Sequence, residues 1–125
     1  DKIYEFPVFV KADKERIEQV LINLIVNSVK YGKINGITTL GIESYTENKF
    51  IIKVVDNGEG IKQEHIPRLF ERFYRVDQSR SREQGGSGLG LSIVKHIIEA
   101  HNETILLKST FTEGSEFSFT LKKVK

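Results

Sequence analysis

Three groups of residues have the types and spacing for chemistry. The first is Arg16, Gln19, Asn23, Asn27, Lys30 and Tyr31. At about 100° per residue these fall on one stripe of a helix. Ile17, Leu21, Leu24, Ile25 and Ser28 fall beside the stripe, where they are expected to face a core, and Ile22, Val26 and Val29 form a further apolar face. A helix that is apolar nearly all round is expected to be buried. A buried, unpaired amide costs roughly 1–3 kcal/mol, so the two asparagines need partners. Either they bond neighbouring backbone, or they face a ligand. An Asn oxygen suits Mg²⁺, Lys30 supplies a point charge for phosphate, and Tyr31 offers a stacking face.

The second group is Asp56-Asn57-Gly58-Glu59-Gly60. Ile52, Val54 and Asp56 alternate onto one side of a strand, so the carboxylate emerges on the buried face. An ionised carboxylate accepts hydrogen bonds and cannot donate. It suits the exocyclic amino group of adenine and opposes the guanine oxygen. The glycines let the backbone turn and let a flat ligand come close. The alternative is an ordinary Asp-Gly turn. The third group is Gly85-Gly86-Ser87-Gly88-Leu89-Gly90-Leu91. No Lys-Ser or Lys-Thr follows it, so it is not a Walker loop, and its spacing is not the dinucleotide fingerprint. Backbone N–H groups at a glycine-rich helix start make a phosphate site, and a flexible hinge is the other reading. Gly90 is also expected to permit close packing.

The elements that must position these groups are legible. An extended stretch covers residues 3–10. Asp13 offers an N-cap for a helix from Lys14 to about Tyr31. Strand-like runs span 37–45 and 50–55, joined by a turn at 46–49. Residues 63–74 look helical in short pieces, with Pro67 tolerated at a first turn. Residues 77–87 are polar, have almost nothing to bury and read as a mobile loop. A second helix runs from about Leu89 to His101, and strands around 104–109 and 115–122 close the chain. Phe117, Phe119 and Leu121 share one face of the last strand. This order predicts an α+β fold: a two-layer α/β sandwich whose mixed sheet carries helices on one face.

Composition narrows the class. The 125 residues suit one domain. Nineteen Lys and Arg oppose seventeen Asp and Glu, a formal charge of +2, too balanced to argue for nucleic acid or an acidic membrane surface. The absence of cysteine excludes disulfides, zinc-thiolate sites and cysteine nucleophiles. No apolar run approaches the ~20 residues of a membrane span, and no secretory signal opens the chain. The lack of any methionine, even at position 1, points to a piece of something longer.

In combination, the motifs resemble the ATP-binding catalytic domain of sensor histidine kinases, a member of the Bergerat-fold ATPases. The resemblance covers nearly the whole chain. It rests on Asp13-x-x-Arg16-x-x-Gln19, Asn23, Asn27, Lys30-Tyr31, then Asp56-Asn-Gly-Glu-Gly60. It continues with Phe70-Glu-Arg-Phe73-Tyr-Arg75 and Gly86-Ser-Gly-Leu-Gly-Leu91. It implies that Asn27 coordinates Mg²⁺, that Asn23 sits beside the phosphates of ATP, and that Lys30 and Arg75 contact phosphate. Tyr31 should stack on the adenine and Asp56 should take its amino group, with Gly58, Gly60 and Ile61 lining the base site. Phe70 and Phe73 should brace a lid at about 75–88. Gly86, Ser87, Gly88, Leu89, Gly90 and Leu91 should bring backbone to the phosphate tail. Ser115 matches a position that helps bind the base. Three features depart from the family pattern: His101-Asn102-Glu103 replaces His-Gly-Gly, Lys122 replaces a proline, and Ser28 replaces Ala. These are expected to alter a turn and an edge.

In the hydrolytic relatives a Glu base lies one turn before the metal-binding Asn. Asn23 occupies that position here and cannot serve as a base. The resemblance therefore implies phosphoryl transfer, with Asn23, Lys30 and Arg75 as the catalytic set. His65, His96 and His101 lack the setting of a phospho-acceptor. The acceptor is expected on the dimerisation helices of a parent kinase, with a response regulator downstream. The implied setting is cytoplasmic, in a sensor protein of a kind commonly membrane-anchored, without direct membrane or nucleic-acid contact. An anti-sigma-type serine kinase and a non-catalytic nucleotide-sensing module are the alternatives.

Overall fold

The first helix starts where the sequence places its cap. Asp13 accepts a hydrogen bond from the Arg16 backbone N–H at Oδ1, 3.3 Å away, as an N-cap does. In the computed structural model, which describes residues 9–30, 36–72, 74 and 90–124, this is α1, Lys14–Lys30. It follows a two-residue strand, β1 (Val10–Lys11). The hairpin β2 (Thr38–Thr46) and β3 (Lys49–Asp56) comes next. A short 3-10 helix at Ile66–Arg68 carries Pro67 in its first turn, where a missing N–H costs nothing. Then come α2 (Gly90–Ala100), β4 (Ile105–Thr110) and β5 (Gly114–Lys123). Tyr31, Phe73, Arg75, Gly86, Ser87, Gly88, Leu89 and most of the 75–88 segment and of the 3–10 stretch lie outside the described residues, as does the side chain of Lys30.

The sheet runs β1-β5-β3-β2, with β4 also paired to β5. Every described pairing is antiparallel, so the sheet is not mixed as expected. Both hairpins demand antiparallel neighbours. The crossover from β3 to β4 does return β4 in the direction of β3, but β5 lies between them. The layering is as expected, with both helices over one face. Val20 and Leu24 of α1 meet Val94, Ile97 and Ile98 of α2 above Ile52, Val54, Phe117, Phe119 and Leu121. Each such side chain contributes about 1.5–3 kcal/mol by leaving water.

One expectation fails. The further apolar face of α1 is not buried: Ile22 is 59%, Val26 45% and Val29 70% exposed, and Ile25, expected toward the core, is 36% exposed at its edge. Two layers supply only one sheet face, and no third layer among the described residues covers the far side of α1. The departures from the family pattern have local explanations. Asn102 takes a left-handed φ of 58°, a conformation that Asn tolerates better than most residues. Glu103 is buried, accepting hydrogen bonds at Oε1 from Lys49 Nζ (2.8 Å) and from Thr120 Oγ1 (2.7 Å). Ser28, also buried, bonds Thr38 Oγ1 at 2.6 Å and ties α1 to β2. Lys122 continues β5 opposite Lys11 and Lys49.

Candidate nucleotide site

Asp56 ends β3 directly opposite Ser115 of β5 and Thr38 of β2. Its parity with Ile52 and Val54 puts it on the helix-covered face. Its Oδ1 accepts the Gly58 backbone N–H at 2.9 Å, an Asx turn that fixes the carboxylate. The second oxygen has no partner among the described residues, so it is available to a donor. Asn57 pins the loop to β2, its Oδ1 accepting the Ile37 N–H at 2.8 Å.

The glycines have particular duties. Gly60 adopts φ 72°, and a Cβ there would lie 2.0 Å from the Thr110 carbonyl oxygen. Its need is thus explained by the β4–β5 turn as well as by any ligand. Gly114 has φ 137°, and a Cβ on it would lie 2.1 Å from the Asp56 carbonyl oxygen. It lets β5 begin hard against the carboxylate's own backbone. Gly90 differs from expectation: nothing among the described residues lies within 4 Å of a Cβ built on it, so close packing does not require it.

On the helix side, Asn23 Nδ2 donates to the Gly90 carbonyl at 3.4 Å. This contact brings the asparagine stripe to the first residue of α2, the end of the glycine-rich stretch. It is also the backbone-bonding alternative, made by one nitrogen and leaving the amide oxygen unpartnered among the described residues. Asn27 lies one turn on, half-buried, with no hydrogen-bond partner among them. Leu91 and Ile61 pack against the core, and Phe70 meets Phe117 edge-on at 6.1 Å between ring centroids. Phe70 therefore holds the chain just before residue 73 against the sheet.

Ser109 of β4 had no weight in the sequence reading. Its Oγ receives the Ile61 N–H at 2.8 Å, lies 3.0 Å from the Gly114 carbonyl and 2.8 Å from Ser115 Oγ. Its inward parity with Ile105 and Leu107, placing a hydroxyl where a strand otherwise buries apolar groups, was the signal available. A groove of about 300 Å³ at this end is lined by Val55, Asp56, Lys108, Ser109, Ser115 and Glu116 among others. Val55, Lys108 and Glu116 have outward parity and Asp56, Ser109 and Ser115 inward parity, so the groove lies across the strand ends.

Two of the three histidines are engaged elsewhere. His65 Nδ1 bonds the Tyr74 hydroxyl. His101 accepts the Asp13 N–H at Nε2 (3.0 Å) and donates from Nδ1 to the Ile97 carbonyl (2.8 Å). His96 stands exposed on α2.

Residues 12–125 match the family described as histidine kinase-, DNA gyrase B- and HSP90-like ATPase. This chain belongs to that family. Among its relatives, the sensor histidine kinase WalK of Bacillus subtilis is 40% identical over 115 residues, 91% of this chain and 19% of WalK. The catalytic domain of the histidine kinase ThkA superposes with a TM-score of 0.76 at 32% identity, covering 93% of this chain and 73% of that one. Full-length ShkA in complex with AMPPNP gives 0.79 at 26% identity, over 94% of this chain and 24% of ShkA. The chain thus spans only 19–27% of the length of the curated relatives it matches first. It is an ATP-binding domain of the histidine kinase type.

Proposed function

We propose that this chain binds Mg-ATP and transfers the γ-phosphoryl group to a histidine on a separate dimerisation domain, as the catalytic unit of a two-component sensor kinase. The observation that carries this reading is the Asn23 contact with Gly90, which sets the amide stripe at the start of α2, above the sheet face that bears Asp56. The residues fit the nucleotide. The unpartnered carboxylate oxygen of Asp56 accepts from the adenine amino group. Ser115, its cross-strand partner, completes the base contact with Gly58, Gly60 and Ile61. The first N–H groups of α2 point out of a helix N-terminus, where phosphate is favoured. Full-length ShkA, a relative of the same fold, is in complex with AMPPNP, which supports a nucleotide as the ligand.

The donor set also fits a metal. The Asn27 amide oxygen has no competing partner among the described residues, and a neutral oxygen is what Mg²⁺ takes alongside phosphate oxygens. Bound Mg²⁺ would neutralise phosphate charge. Lys30 and Arg75 would add positive charge at the phosphates, and Tyr31 would stack on the base. Phe70 and Phe73 would anchor a lid at 75–88, and residues 86–91 would bring backbone to the phosphate tail. Catalysis here consists of positioning and charge neutralisation, because Asn23 cannot deprotonate water. We read residues 1–125 as one domain acting in the cytoplasm, with the dimerisation helices and a response regulator as partners.

His65 and His101 are committed to Tyr74, Asp13 and Ile97, which supports an acceptor outside this chain. Incubation with γ-labelled ATP and Mg²⁺ tests the reading. The chain alone should retain no label, and adding the parent protein's dimerisation domain should yield an acid-labile phosphohistidine on that domain. Label on His65, His96 or His101, or an acid-stable phosphoserine, would overturn it.

A further inference from the structure

Ser109 sits at a junction that nucleotide binding by Asp56 does not itself require. Its single hydroxyl touches three groups: the Ile61 N–H, the Gly114 carbonyl and the Ser115 hydroxyl. A serine hydroxyl has one hydrogen to give and two lone pairs to offer. The Ile61 N–H can only donate and the Gly114 carbonyl can only accept. One arrangement satisfies all three contacts. Ser109 gives its hydrogen to Gly114, accepts from Ile61, and accepts from Ser115. The hydrogen of Ser115 is then committed to Ser109. What Ser115 has left to present is lone pairs.

We infer that Ser109 is a base-specificity residue: by fixing the hydroxyl hydrogen of Ser115, it makes Ser115 an obligate acceptor beside the acceptor Asp56. The inference rests on the nucleotide reading above and deepens it. Asp56 and Ser115 are directly opposed across β3 and β5, where cross-strand side chains stand about 5 Å apart. Two adjacent acceptors select an exocyclic amino group, which carries two hydrogens. They reject a carbonyl oxygen at the same ring position. Ser115 alone would not discriminate, since a free hydroxyl turns its hydrogen toward whichever partner it meets. Ser109 removes that freedom. It is a positioning residue, because it acts through Ser115. Ser115 is buried, so its hydrogen has few competing partners, which favours a fixed direction.

The test compares two ligands that differ along one edge of the base. ATP carries the amino group beside a bare ring nitrogen; inosine triphosphate carries an oxygen in its place, and the neighbouring ring nitrogen bears a hydrogen. Affinities of both for the 125-residue chain are measured by calorimetry in Mg²⁺. The wild type should prefer ATP. Ser109→Ala should reduce that preference by about tenfold, the worth of one hydrogen bond, chiefly by strengthening inosine triphosphate, to which the freed Ser115 hydroxyl can donate. Ser109→Thr, which keeps the hydroxyl, should retain the preference. In a Ser115→Ala background, Ser109→Ala should leave the ratio unchanged, because its route is gone. If Ser109→Ala proves poorly folded, the ratio of the two affinities still reads the effect, since a ratio within one preparation cancels the folded fraction. A merely structural role would weaken both ligands in parallel. An ATP-preferring wild type whose Ser109→Ala variant keeps its full preference overturns this inference alone. A wild type that binds neither ligand overturns the nucleotide reading and this inference with it.

Discussion

Glu103 and Lys49 show how a single polar pair is held in this fold. The Glu103 side chain is 1% exposed and that of Lys49 34%. Burial raises the Glu103 pKa, but hydrogen bonds from Lys49 and Thr120 and the charges of Lys49 and Lys122 outweigh it. The net pKa lies below the usual 4.5. A depressed carboxylate stabilises the fold fully above its unfolded pKa and loses that contribution as pH falls through the folded one. Unfolding free energy from urea titrations should therefore decline as pH drops below about 4.5. Glu103→Gln should lower stability at pH 7 by about 1.5–3 kcal/mol and flatten the decline. Parallel pH curves for the two proteins would contradict this. Gly114 gives a second prediction at this scale. A Cβ there meets the Asp56 carbonyl oxygen at 2.1 Å, so Gly114→Ala must move the backbone that carries the carboxylate. Stability should fall by more than about 1 kcal/mol, and ATP affinity should fall with it. Unfolding and calorimetric titrations of the variant check both.

The elements divide sharply in what their sequences revealed. α1 was legible in its start, its length and its polar stripe, because Asp13 and a 3.6-residue period are local signals. Its exposed apolar face was not. Periodicity tells which residues share a face, but whether that face meets another layer depends on how many layers the chain can build. The same limit explains the sheet. Alternation in β5 gave Phe117, Phe119 and Leu121 their common face, yet neighbour directions are set by which strands meet across long connections. Ser109 was missed because its partners, Ile61 and Ser115, come together only in the folded sheet. The two faces of α1 can be compared directly. Leu24→Ala, which empties a fully buried position, should cost about 2–5 kcal/mol. Val29→Lys, at a position 70% exposed, should change stability by no more than about 0.5 kcal/mol. Denaturant midpoints for the pair decide the matter, and a large loss at Val29 would mean that this face is covered.

At the scale of the whole molecule, the fold brings three separated sequence motifs to one side of a sheet. The first helix supplies amides, the end of β3 supplies a carboxylate, and the start of α2 supplies backbone N–H groups. The described residues contain no group of three or more His, Cys, Asp or Glu arranged to hold a metal. Metal affinity is therefore expected to depend on the nucleotide's own phosphate oxygens together with Asn27. Mg²⁺ and ATP should bind interdependently, each strengthening the other by the same factor. The most direct test is calorimetric titration of ATP into the wild-type chain and into Asp56→Asn, with Mg²⁺ and with EDTA. The account predicts Mg²⁺-dependent binding to the wild type and at least about a tenfold loss in Asp56→Asn, whose amide presents a donor to a donor, with no matching loss of thermal stability. Equal affinities for the two proteins, or no binding to the wild type, would contradict it.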